Sequence, residues 1–198
     1  AHARRPMMIT SYLDRSNNHM RIWDYHYNLP FGDTPGDTLD ERAKAVLEIA
    51  DRVGIDRLCV VLPVGTERWT DEAIEGVLEK YSDRLFGFLH SRGSNDVSVR
   101  LENMDRWIGE GPMVGVALGS GSGICSDPAL DPLFERIKEL KAVVFQHTWI
   151  KLGGDPPRAG GGNLPKESRP EDVVEVARRH PDMPIICEHT GGDWQRGV

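Results

Sequence analysis

Residues 142–148 read Ala142-Val143-Val144-Phe145-Gln146-His147-Thr148, an apolar run that ends on an imidazole. A short valine-rich run without polar alternation is a strand buried on both faces, the kind found in parallel sheets. Its ionisable tip is aimed at something other than core. Two more runs end in the same way. One is Ile22-Trp23-Asp24-Tyr25-His26-Tyr27-Asn28, and the other is Pro184-Ile185-Ile186-Cys187-Glu188-His189-Thr190-Gly191-Gly192. When several parallel strands carry polar groups at one end, those tips converge on a shared pocket.

Outward from these runs, strand-type and helix-type segments alternate along the chain. Strands are expected at 21–26, 57–62, 85–90, 114–118, 142–148 and 184–188. Between them, Asp37-Thr38 opens a helix over 39–53, with Ala43, Val46, Leu47 and Ala50 at helical spacing and Gly54 as its stop. Further helices are expected over 70–80, 97–108, 127–140 and 170–180, the third of these opened by Asp127-Pro128. Strict alternation of this kind implies a parallel sheet with crossover helices. A nucleotide-binding open sheet would carry a glycine-rich turn after its first strand. Tyr27-Asn28-Leu29-Pro30-Phe31-Gly32 is no such turn. Polar tips on strands one, five and six suit a TIM-like (β/α) barrel, α/β in class and incomplete, with about six of the eight units of a full barrel.

Composition sets the outer bounds. The chain has 198 residues, 39% hydrophobic and 28% charged, which suits one globular domain with a core of its own. A net charge of −7 argues against nucleic acid or an anionic membrane as partner. Cys59, Cys125 and Cys187 are widely spaced and odd in number, which fits free buried thiols in a reducing compartment. No run approaches a membrane span, and the first twenty residues lack an apolar signal core, so a cytoplasmic protein is expected. The chain opens Ala1-His2-Ala3-Arg4 and stops at Gly197-Val198. Both ends look cut, with Met20 a plausible internal start. Residues 1–19 are read as an N-terminal extension and 20–198 as the domain.

The strand tips carry the chemistry. By the period-two rule Asp24, His26 and Asn28 share one strand face. Three polar groups on one face make a poor core and a good metal edge, since imidazole and carboxylate suit a divalent ion such as zinc. His147 and His189 would add ligands from neighbouring strands.

This ordered set resembles the amidohydrolase superfamily, in its amidohydrolase-related branch of metal-dependent hydrolases and decarboxylases. Asp24-x-His26 is similar to the branch's opening Asp-x-His-x-His, His147-Thr148 to its strand-five tip, and His189-Thr190-Gly191-Gly192 to its His-x-Gly-Gly. Glu167-Ser168, Ala177-Arg178-Arg179-His180-Pro181 and Gly192-Asp193-Trp194 add to the likeness, which spans roughly residues 20–198. Two departures stand out. Asn28 replaces the second opening histidine, and no Asp of this chain matches the family's catalytic aspartate after strand eight. The opening can also be aligned with Asp24 as the acidic ligand.

The resemblance implies a divalent metal, zinc or alternatively manganese, held by His26 and His147 with Asp24 or Asn28 completing the edge. His189 would then be the catalytic proton shuttle. The implied reaction is hydrolysis of a small amide, ester or lactone, with non-oxidative decarboxylation as the alternative on the same site. From another class comes a third reading: a catalytically inert barrel fragment, or a remnant that completes itself as a homo-oligomer through open strand edges.

His90, Arg92 and Trp149 are candidates for substrate contact, Arg92 as a carboxylate clamp. Gly119-Ser120-Gly121-Ser122-Gly123 reads as a permissive loop or a phosphate cradle. The glycine- and proline-rich stretch 149–169 reads as a surface loop or a lid over the pocket. His2, His19 and His180 read as surface residues.

Overall fold

The computed structural model describes residues 21–29, 34–90, 96–119, 122–149 and 167–192. Six strands form one sheet in chain order: β1 (Trp23–Asn28), β2 (Arg57–Leu62), β3 (Leu85–His90), β4 (Gly115–Leu118), β5 (Val143–His147) and β6 (Ile185–Glu188). Every neighbouring pair is parallel. Among the described residues, five helices make the crossovers: α1 (Leu39–Val53), α2 (Asp71–Lys80), α3 (Val97–Met104), α4 (Asp131–Leu140) and α5 (Pro170–Arg179). The helix expected over 97–108 instead widens after Met104 into a π-helical stretch, Asp105–Glu110. The start of the one expected over 127–140 is a separate 3-10 turn, Pro128–Leu130.

The helices form where local chemistry demands them. Thr38 accepts the Glu41 N–H while Glu41 accepts the Thr38 N–H, a reciprocal cap at the start of α1. Gly54 ends the helix with φ 79°, a left-handed conformation that costs glycine nothing. The apolar stripe of α1 then packs with Leu58, Val60 and Leu62 of β2 in the outer core. That core lies between the sheet and its helices and includes the fully buried Phe134, Trp107 and Val144.

The sheet is not flat. In a flat sheet β1 and β6 would stand roughly 24 Å apart, five spacings of about 4.8 Å. Instead His26 Nδ1 on β1 lies 2.6 Å from Glu188 Oε1 on β6. The six strands are curled into a half-barrel, an incomplete TIM-like barrel.

Its concave side holds a smaller core of Cys59, Val61, Phe88, Ala117 and Phe145. Gly115 leaves room there, because a Cβ at that position would collide with the Phe88 ring and the Val143 carbonyl. Phe88 and Phe145 stack with centroids 4.0 Å apart. At the N-terminal ends of the strands, the Arg57 guanidinium lies over Trp23 at 4.8 Å and over Phe86 at 5.5 Å. The chemistry is left to the other end.

Two expectations are corrected. Strict alternation along β1 fails between Asp24 and Tyr27, where three steps on β1 match two on β2. Asp24 pairs with Leu58 and Tyr27 with Val60, both outer-core residues of β2, whereas Asn28 pairs with the inward Val61. The extra residue is a β-bulge, which re-aims a side chain by adding one residue to a single strand. It turns His26 inward while leaving Asp24 on the other face.

His180 is also no surface residue. It is 3% exposed, tucked over the Phe134 ring with Nδ1 3.1 Å from Glu135 and Nε2 3.5 Å from Asp131. The helix end that looked solvated is docked on α4. His2 and His19 lie outside the described residues.

All three cysteines are free, Cys59 and Cys125 buried and Cys187 half-buried. Burial pushes the Cys59 thiol up to about 12 and the Cys125 thiol up to about 11. Such thiols are unreactive. No helix among the described residues is long and apolar enough to cross a membrane.

Candidate active site

The C-terminal ends of the strands surround a cavity of about 400 Å³, lined by side chains of β1 to β6. His26 and Asn28 come from β1, Val61 from β2, His90 from β3, His147 from β5 and Glu188 from β6. His189 joins them from just beyond β6. This is the end of a (β/α) barrel at which active sites sit.

A carboxylate that sequence reasoning passed over is at the centre. Glu188 Oε1 is 2.6 Å from His26 Nδ1, while its Oε2 is 3.4 Å from His147 Nδ1 and 4.0 Å from His189 Nε2. The imidazoles gather around it, with the ring of His189 5.6 Å from that of His26 and 4.9 Å from that of His147. Burial pushes the Glu188 carboxyl upward, but hydrogen bonds from His147 and His26 outweigh it and hold the group at about 2. The Glu188 hydrogen bond raises His26 above its ordinary value, against burial. His189 moves the other way, because burial favours its neutral ring over the pull of Glu188. The available signal was a charged residue closing an apolar strand, two positions on from the inward Ile186. The adjacent histidine overshadowed it.

The backbone explains how Glu188 and His189 both reach the cavity. His189 and Thr190 have φ of 58° and 44°, left-handed values that are rare for residues with a Cβ and rarer for a β-branched one. The turn is held by Thr148, which is fully buried. Its Oγ1 donates to the Glu188 carbonyl at 2.6 Å and accepts the Gly191 N–H at 2.9 Å. Strain of this kind gathers where side-chain placement matters more than comfort. Trp149 follows, its ring 5.1 Å from His189 and packed over Gly192.

The remaining candidates divide. His26 Nε2 is 3.1 Å from the Asn28 amide nitrogen, so Asn28 hydrogen-bonds the neighbouring ring. Asp24 takes the backbone N–H of His26 at 3.0 Å, bracing the bulge, and does not line the cavity. His90 lines the wall beside Gly119. Trp149 stands behind His189, not among the lining residues. Arg92, Ser120, Gly121 and the centre of the 149–169 stretch lie outside the described residues.

The donor set suits a metal. Among the described residues, His26, Glu188 and His189 each offer a ligand atom within 4.8 Å of the others. Two imidazoles and a carboxylate facing a cavity, with room for further ligands, are the chemistry of a catalytic divalent site.

The sequence profile of the amidohydrolase family matches residues 17–198. The chain belongs to the amidohydrolase family. Members of this family usually use divalent metals, in keeping with the donor group here.

Two solved structures are similar to this chain. One is 5-carboxyvanillate decarboxylase from Sphingomonas paucimobilis, 14% identical, with a TM-score of 0.55 over 86% of this chain and 68% of that one. The other is a probable 2-pyrone-4,6-dicarboxylic acid hydrolase from Acinetobacter baumannii with citric acid bound. It is 15% identical, with a TM-score of 0.47 over 87% of this chain, which spans 59% of that one. No curated protein matches the sequence.

Proposed function

We propose that this amidohydrolase is a metal-dependent hydrolase of a small carbonyl compound such as an amide, ester or lactone. The observation that carries the reading is the His26–Glu188–His189 donor group, set at the strand ends of a half-barrel and open to the cavity. Those three residues would hold a divalent ion, zinc or alternatively manganese. Such an ion supplies Lewis-acid polarisation and makes water acidic enough to react near neutral pH.

The protein's own groups divide the remaining work. Glu188 presents an ionised carboxylate, and burial keeps a lone pair on His189. The spacing of the donor atoms adds His189 to the candidate ligands His26 and His147. His147 stands just outside the tightest donor group, its Nδ1 3.4 Å from Glu188, where it would hold that carboxylate as a hydrogen-bond donor. His90 on the opposite wall and Trp149 behind His189 would orient the substrate.

The test is turnover by the full-length protein of a panel of amides, esters and lactones in ¹⁸O-labelled water. The expected result is one labelled oxygen in the product, activity lost to a chelator, and activity restored by zinc or manganese. Carbon dioxide release without label would make the enzyme a decarboxylase. Chelator-insensitive turnover would remove the metal.

A further inference from the structure

Glu188 and His189 are consecutive residues, yet both line the cavity. Along an extended strand, successive side chains point to opposite faces. On β6 that alternation holds: Ile186 packs in the inner core, whereas Ile185 and Cys187 pack against the outer one. Glu188 therefore points inward, and a His189 that continued the strand would point out. Instead His189 Nε2 lies 4.0 Å from Glu188 Oε2. We propose that Thr148 is the positioning residue behind this pair: its hydroxyl clamps the turn that sets Glu188 and His189 side by side, making two consecutive residues into one chelating unit. The inference rests on a divalent ion being held by this donor group, the reading proposed for the site.

The clamp closes on both ends of the strained segment. His189 and Thr190 hold φ of 58° and 44°, a conformation in which Cβ crowds the following carbonyl oxygen. Thr148 Oγ1 donates to the carbonyl of Glu188, just before them, at 2.6 Å. It accepts the N–H of Gly191, just after them, at 2.9 Å. Cys187 Sγ lies 3.4 Å from the same oxygen. The hydroxyl has one hydrogen, which the carbonyl takes, so the amide and the thiol share its two lone pairs. Every hydrogen-bonding position of the Thr148 side chain is thus committed to β6 and its turn.

Thr148 is well placed as an anchor. It is fully buried and follows directly on β5, whose His147 pairs with Glu188 of β6. The next residue, Trp149, donates its N–H to the Ser168 carbonyl at 3.2 Å, and a Cβ on Gly192 would meet its ring at 3.2 Å. Removing the hydroxyl without changing the volume would take this partner from the Glu188 carbonyl and from the N–H of the buried Gly191. The two left-handed residues would then relax toward an extended path, which carries His189 out of the cavity.

Four forms of the full-length protein test the clamp. They are the wild type, Thr148→Ser, which keeps the hydroxyl, Thr148→Val, which keeps the shape, and Thr148→Val combined with Thr190→Gly. Exchange of the Gly191 amide is followed by NMR before zinc is added, and zinc affinity is then measured by competition with a chelating dye. Thr148→Val should lose Gly191 protection and bind zinc more weakly, on the order of 10–100-fold, as loss of a group that orients a ligand does. Thr148→Ser should match the wild type. The added Thr190→Gly should recover part of the lost affinity, since glycine takes the left-handed conformation freely. A role in stability alone would lower the urea midpoint of Thr148→Val and leave the zinc affinity of the folded protein unchanged.

A wild-type Gly191 amide that exchanges freely overturns the proposal before any variant has to fold. A folded Thr148→Val protein with wild-type zinc affinity overturns it too, as does a combined variant that binds no better than Thr148→Val alone. A wild type that binds no zinc, in which Thr148→Val still strips Gly191 of its protection, upholds the clamp and removes the metal reading.

Discussion

Glu188 and His26 face each other at 2.6 Å across the open side of the half-barrel, and their shifts fix how that pair responds to pH. Glu188 sits at about 2 in the fold against an ordinary 4.5. Its contribution is fully present above pH 4.5 and is lost as pH falls toward 2. His26 is raised from 6.5, so its contribution is fully present below pH 6.5 and fades as pH rises through its folded value. In the metal-free protein the pair therefore stabilises most between pH 4.5 and 6.5. Urea midpoints measured from pH 3 to 8 should show that maximum, and Glu188→Gln should flatten it. A variant whose profile still matched the wild type would show that the pair contributes nothing to the fold.

Lys141, at the end of α4, carries a side chain at φ 54°. Lys141→Gly should gain about 1 kcal/mol by relieving the left-handed conformation, read as a higher urea midpoint at unchanged slope.

At the scale of elements, most of the fold was legible because its signals are local. Thr38, Glu41 and Gly54 mark both ends of α1, and the structure places that helix over the expected residues. Thr38→Ala should cost about 1 kcal/mol in thermal or chemical unfolding, since it strips the N–H acceptor from the first turn. The apolar runs of β2 and β3 likewise coincide with their strands, 57–62 and 85–90.

What stayed hidden depends on partners remote in sequence. The bulge in β1 exists only against β2, so period-two reasoning grouped Asp24 with His26 when the pairing separates them. Glu188 and His189 both reach the cavity because Thr148, some forty residues earlier, holds a left-handed turn. Glu167 meets His147 across a twenty-residue connection, and His180 is buried by a helix that ends forty residues before it. Residue type announced the histidines. Tertiary structure supplied the carboxylates that complete them.

At the scale of the molecule, a six-stranded parallel sheet curls until its first and last strands meet through side chains. Arg57, Trp23 and Phe86 occupy one end, and the ionisable groups gather at the other. The family and the donor group together point to one central claim, that His26, Glu188 and His189 hold a divalent ion. Metal analysis of the natively purified, full-length protein tests it most directly. The expected result is a stoichiometric divalent ion, zinc or manganese, that is lost in Glu188→Ala while the fold is retained. A wild-type protein without bound metal, or a Glu188→Ala protein that keeps its full complement, would contradict it.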